Sequence, residues 1–112
     1  MNQTTGIKEV PAIGIDFGTT HSSVGVFLND KVIIIPNKEW STSIPSIVAF
    51  SGNEQLIGDP ALYQISKNPI NTIVASKSLI GKKFHEKELQ DDIMQWPFKI
   101  ECGPHNNPLV VV

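Results

Sequence analysis

A mixed fold, α/β or α+β, is what this chain predicts, and three observations carry the prediction. Over the first half, short apolar segments alternate with a period of two, the pattern of strands with one buried face. From Asp59 onward, capping residues and prolines open helical segments. Beyond Trp96-Pro97 the pattern returns to strand. A length of 112 residues suits one small domain with one modest core and excludes a multidomain machine.

The elements follow in order. Residues 1–11 are polar, end at Pro11 and read as a flexible leader. Ile13, Ile15 and Phe17 alternate with Gly14 and Asp16, which predicts a first strand. A break at Gly18-Thr19-Thr20 precedes a second strand over 22–28. Asn29-Asp30 is turn chemistry, so the apolar run 32–35 becomes a third strand, placed centrally because it has no polar face. After a polar loop over 37–43, residues 46–50 and 55–57 read as strands around the Ser51-Gly52-Asn53 break. Asp59 as N-cap with Pro60 behind it opens a helix that Asn68-Pro69 closes. Asn71 or Thr72 caps a second short helix bearing Ile73, Lys77 and Leu79 or Ile80, with Gly81 as its stop. A third helix covers 86–94, with Leu89 and Ile93 on one face. Trp96 and Phe98 are expected core anchors, and 98–101 is a strand. The apolar end over 109–112 reads either as an edge strand already paired inside the domain or, the favoured reading, as a strand start that still needs a partner, which points to truncation.

The charge balance narrows the function. Eleven acidic residues against nine basic ones give a net charge of −2, unsuited to a nucleic-acid or anionic-membrane partner. All nine basic residues are lysine. A phosphate site here must use backbone N–H groups, hydroxyls, lysine and metal, without a guanidinium fork. The single cysteine, Cys102, forms no internal disulfide; the first residues lack the apolar stretch of a signal peptide, and the aliphatic runs are too short to span a bilayer. Cytoplasmic localisation is the default expectation. His85, His105 and Cys102 read as solvated side chains without ligand spacing.

The stretch Gly14-Ile15-Asp16-Phe17-Gly18-Thr19-Thr20-His21-Ser22 is the most informative. It puts a carboxylate, a glycine, two threonines, a histidine and a serine at one hairpin tip. Glycine allows close backbone approach to an oxyanion, and successive N–H groups with hydroxyls can cradle phosphates. Asp16 could hold Mg²⁺ directly or through its waters. An ordinary hairpin with a locally bonded aspartate fits the same nine residues equally well. Neither a P-loop nor a G-x-G-x-x-G motif is present.

Over residues 12–101 a series of motifs decides between these readings. Ile13-Gly14-Ile15-Asp16-Phe17-Gly18-Thr19-Thr20, then Ser22 and Val24-Gly25-Val26, resembles the first phosphate loop of the heat-shock 70-kilodalton chaperone family. Ile35-Pro36-Asn37, Pro45-Ser46-Ile47-Val48-Ala49-Phe50, Ile57-Gly58-Asp59, Asn71-Thr72-Ile73, Lys77-Ser78-Leu79-Ile80-Gly81 and Trp96-Pro97-Phe98 follow in that family's order. The resemblance implies part of an actin-like (ribonuclease H-like) ATPase lobe: antiparallel strands of the first subdomain and the start of an inserted one, over 12–112. The second phosphate loop, the adenosine-binding lobe, the peptide-binding domain and the lid of such a protein lie beyond this length. By the same resemblance, Gly18, Thr19, Thr20 and His21 match the turn that binds the β- and γ-phosphates of ATP. Asp16 matches the carboxylate beside Mg²⁺, and Lys77 the catalytic lysine that reaches the γ-phosphate. Unfolded client peptides and co-chaperones are the partners implied for a full-length form.

Departures from the family pattern are specific. His21 stands where tyrosine is usual. Residues 40–44 replace a Gly-Asn-Arg-Thr-Thr run, and Ser78 and Lys82 replace arginines. Two functions compete on this reading: an ATP-dependent protein-folding chaperone of which this is the N-terminal portion, inactive alone, and a truncated paralogue without ATPase activity that binds a partner through strand edges. The mass of the native protein discriminates between them.

Overall fold

The computed structural model describes residues 10–112; residues 1–9, most of the expected leader, lie outside the described residues. Strand β1 (Ala12–Phe17) pairs antiparallel with β2 (His21–Leu28), and β2 pairs in turn with β3 (Lys31–Ile34). Asn29 and Asp30 join β2 to β3 with φ of 51° and 58°. Two consecutive positive φ values suit the right-handed twist of a two-residue hairpin, and Asn and Asp tolerate them better than most side chains. The short β4 (Ile44–Pro45) then returns to β2, opposite His21 and Ser22. Centre and edge are therefore exchanged relative to expectation: β2 is central, and the apolar β3 is an edge strand exposed along its length.

The expected buried face of β1 is also uncovered. Directly paired residues share a sheet face, which puts Ile13, Val26 and Ile33 on one side and Gly14, Gly25 and Ile34 on the other. Ile13 and Ile15 nevertheless remain 66% and 73% exposed. Period-two alternation reports which side chains lie together, but not whether anything covers them. Among the described residues this sheet is a single layer. The Cα radius of gyration is 19.0 Å, against about 13 Å for a compact domain of this length.

A second sheet holds β5 (Val48–Ser51) between β6 (Glu54–Ile57) and β7 (Thr72–Ile73). Helix α1 spans Asp59–Tyr63, and its N-cap is Gly58 instead of Asp59. Gly58 takes φ 73°, and a Cβ there would come within 2.7 Å of the Ile44 side chain, so the chain reverses tightly from β6 into the helix. The expected second helix is absent. Pro69–Asn71 and Ser76–Leu79 form 3₁₀ turns, and Thr72 and Ile73 between them are extended. β-Branched residues favour extension there. The Thr72 hydroxyl, almost fully buried, donates to the Asn68 carbonyl at 2.6 Å and accepts from Gln64 Nε2 at 2.8 Å. Asn71 and Thr72 are helix caps by type, but their neighbours recruit them into sheet.

Helix α2 (Lys87–Ile93) matches the expected third helix, with Leu89 buried. Lys82, which replaces an arginine in the resemblance, lies 2.7 Å from Glu88. The hydrogen bond to Glu88 holds the Lys82 pKa above the ordinary lysine value. Its contribution is thus complete below that ordinary value and is lost as pH rises through the raised one. Strands β8 (Lys99–Cys102) and β9 (Pro108–Val111) form a two-stranded ladder, so the apolar segment at 109–112 has a partner within the chain. Ile73, Phe98 and Ile100 form the core cluster, flanked by Phe50, Val74, Leu79 and Ile93. Trp96 stacks on Phe98 at 5.0 Å between ring centroids, which places both expected anchors in or against this core. Among the described residues no helix is long and apolar enough to cross a membrane.

The loop between β3 and β4 carries one strained residue. Asn37 Oδ1 accepts from the N–H groups of Glu39 and Ser41 at 3.0 and 2.9 Å, and the Trp40 N–H donates to the Asn37 carbonyl. This tight turn holds Trp40 at φ 62° with its side chain 84% exposed. Left-handed backbone costs a non-glycine residue about 1–2 kcal/mol, and little burial offsets it here. Trp40→Gly is therefore expected to stabilise the chain by about 1 kcal/mol, read as a higher urea midpoint. An unchanged or lower midpoint would show that the indole contributes packing that offsets the strain.

Candidate functional site

Pairing of β1 with β2 runs out to Phe17 opposite Ser22, and Gly18, Thr19 and Thr20 form the tip. The Gly18 N–H donates to the His21 carbonyl at 3.0 Å. A Cβ at position 18 would overlap that same carbonyl oxygen, so only glycine closes the turn this tightly. The tip is also braced from the far side of β2. Ser46, between β4 and β5, donates its N–H to the Thr20 carbonyl at 2.8 Å and its hydroxyl to the Gly18 carbonyl at 2.9 Å.

Ser22 and Ser46 hydroxyl oxygens lie 2.8 Å apart. Each hydroxyl has one proton, and that of Ser46 is used on Gly18, so Ser22 is the donor in this pair. Thr19 and Thr20 are left with exposed side chains, and among the described residues no acceptor engages their backbone N–H groups. The tip thus combines two uncommitted amide donors with two threonine hydroxyls, a set suited to an oxyanion.

Asp16 pairs with Ser23 across the ladder, two residues before Gly18, and is exposed. Among the described residues no group of three or more His, Cys, Asp or Glu side chains is placed to hold a metal. Mg²⁺ usually keeps several waters and binds through one or two carboxylates plus substrate phosphates. A lone exposed carboxylate two residues before this tip fits that shared coordination and does not form a closed cage. His21 opens β2 opposite Pro45, also exposed.

Lys77 sits in the Ser76–Leu79 turn with its side chain exposed. The chain enters that turn through Ala75, which is left-handed at φ 55°. Ala75 lines a groove with Thr19, Thr20 and His21, and Ser76 lines another with Phe17 and Ser22. The fold therefore brings the residues just before Lys77 alongside the tip, although they are more than fifty positions away in sequence. Among the described residues no hydrogen bond or ion pair engages the Asp16 carboxylate or the Lys77 ammonium. Sequence reasoning missed the bracing by Ser46. A serine after a proline reads as ordinary turn chemistry, and no periodicity marks its long-range partner.

Comparison with known proteins places this arrangement in a class. The family profile described as Hsp70 protein matches residues 12–112. The heat shock cognate 70 kDa protein 3 of Dictyostelium discoideum is 49% identical over 102 residues, covering 90% of this chain and 16% of that protein. The heat shock 70 kDa protein of Trichophyton rubrum is 50% identical over 90 residues, covering 80% of this chain and 14% of its own length. The heat shock 70 kDa protein cognate 1 of Drosophila simulans is 50% identical over 93 residues, covering 83% of this chain and 44% of that sequence. The chain belongs to the Hsp70 family, and its mixed strands and helices are part of that family's actin-like α/β ATPase fold. It spans 16% and 14% of the first two relatives.

Proposed function

We propose that this chain is the N-terminal wall of the ATP site in an ATP-dependent heat-shock-70-type protein-folding chaperone. The observation that carries the proposal is the tip: two carbonyls are tied back to Ser46, and the Thr19 and Thr20 N–H groups are left uncommitted. In this reading the turn of Gly18, Thr19, Thr20 and His21 holds the β- and γ-phosphates, with the Thr19 and Thr20 N–H groups and hydroxyls as donors and Gly18 allowing close approach. Asp16 holds Mg²⁺ by one carboxylate oxygen or through its waters. Bound Mg²⁺ neutralises charge on the phosphate oxygens. Lys77 directs its ammonium to the γ-phosphate, where negative charge spreads during transfer. A cytoplasmic setting, client peptides and co-chaperones go with the full-length form. With one wall only, the chain by itself binds nucleotide weakly or not at all.

The test is a chimera in which residues 12–112 replace the matching segment of the Dictyostelium relative. Steady-state ATP turnover is the expected result, and a folded chimera without turnover would contradict the proposal. A second reading, partner binding without catalysis, is favoured by one observation: β1 and β3 are both edge strands with exposed apolar side chains. Such edges are templates for another chain. A folded, inactive chimera would favour that reading.

A further inference from the structure

We infer that Ser46 is the positioning residue of the 18–21 turn, drawing the Gly18 and Thr20 carbonyls to its own side and leaving the Thr19 and Thr20 N–H groups to meet an anion. The inference rests on reading the turn as a phosphate site. A tight turn exposes amide hydrogens and carbonyl oxygens together, and each carbonyl facing a phosphate repels it. Ser46 spends both of its donors, N–H and O–H, on the two carbonyls that flank Thr19, at 2.8 and 2.9 Å. One residue, 28 positions from Gly18, thereby engages the two carbonyls on either side of Thr19, while the Thr19 and Thr20 N–H groups stay uncommitted among the described residues.

The brace is itself held. The Ile47 N–H donates to the Pro45 carbonyl at 2.8 Å, and the Ile47 carbonyl accepts from the Gly58 N–H at 3.0 Å. Ser46 is therefore held between Pro45, paired with β2, and Ile47, tied to the N-cap of α1, so the tip takes its position from beyond its own hairpin. Ser22 has a defined part too. Its proton goes to Ser46, so it does not donate to an anion, and the hydroxyls available to a phosphate reduce to those of Thr19 and Thr20.

The experiment is solution NMR of the chimera, isotope-labelled selectively at Gly18, Thr19 and Thr20 and titrated with magnesium tripolyphosphate as a base-free anion. In Ser46→Ala, the Gly18 carbonyl ¹³C resonance is expected to move upfield as it loses its donor. The affinity read at the Thr19 and Thr20 amides should fall about fivefold, the scale of one hydrogen bond. Ser46→Thr restores the hydroxyl and should recover both readouts, which separates positioning from general destabilisation. Ser22→Ala should leave the Gly18 carbonyl where it was. Amides that respond to tripolyphosphate equally in parent and Ser46→Ala would overturn the role given to Ser46. Parent amides that ignore tripolyphosphate would instead overturn the phosphate reading itself.

Discussion

Lys77→Ala in the chimera is expected to lower ATP turnover about a hundredfold, the usual loss when one preorganised charge on a transition state is removed. The fold brings Ala75 and Ser76 beside the hairpin tip, and Lys77 follows them in an exposed 3₁₀ turn, among the described residues without an ion pair to release first. On the proposed reading its ammonium acts on charge that develops during transfer, so turnover number should fall more than KM rises. Lys67, exposed in the segment between α1 and the next 3₁₀ turn, serves as control, and Lys67→Ala should stay within about twofold. A loss of less than threefold for Lys77→Ala would remove the catalytic role.

Phe98→Ala is expected to cost about 3–5 kcal/mol of stability, the range for truncating a buried aromatic. Phe98 is only 2% exposed, stacks on Trp96, and forms the core cluster with Ile73 and Ile100. Small domains have about 5–15 kcal/mol in all, so this one change removes a large share. The same cluster is flanked by Val74 and Leu79, which bracket the Lys77 turn. Loss of the ring should therefore loosen the presentation of Lys77 along with the fold. Urea unfolding followed by Trp fluorescence measures it, and a loss below about 1 kcal/mol would show that the cluster does not dominate.

How far the sequence reveals this arrangement depends on the kind of signal. The hairpin of β1 and β2 is legible because apolar alternation and a Gly-Thr-Thr break coincide. The Asn29-Asp30 turn is legible because its backbone demands residues of that type. Helix α2 is legible from Leu89 and Ile93 four apart. Residues 71–80 are misread because Asn71 and Thr72 have two roles by type, helix cap or hydrogen-bonded strand end. Only the contact of Thr72 with Asn68 and Gln64 decides between them. The bare face of Ile13 and Ile15 is hidden for another reason: periodicity encodes sidedness and carries no information on cover. For the site, Asp16 and the 18–21 turn stand out from their residue types, but only the resemblance decides against an ordinary hairpin, and Lys77 is legible through the resemblance alone. Ser46 stayed hidden because its partners, Gly18 and Thr20, are backbone carbonyls, which leave no mark in the side-chain pattern.

Lys77 and Phe98 stand for the two halves of the proposed role, a stable scaffold that holds one wall of an ATP site. The face of its first sheet that carries Ile13 and Ile15 is open, its tip has free amide donors, and Lys77 sits on a separate element braced by a small core. Isothermal titration of the 112-residue chain with Mg-ATP tests that claim most directly. The expected result is binding weaker than micromolar, or no measurable heat; a micromolar or tighter dissociation constant would contradict it.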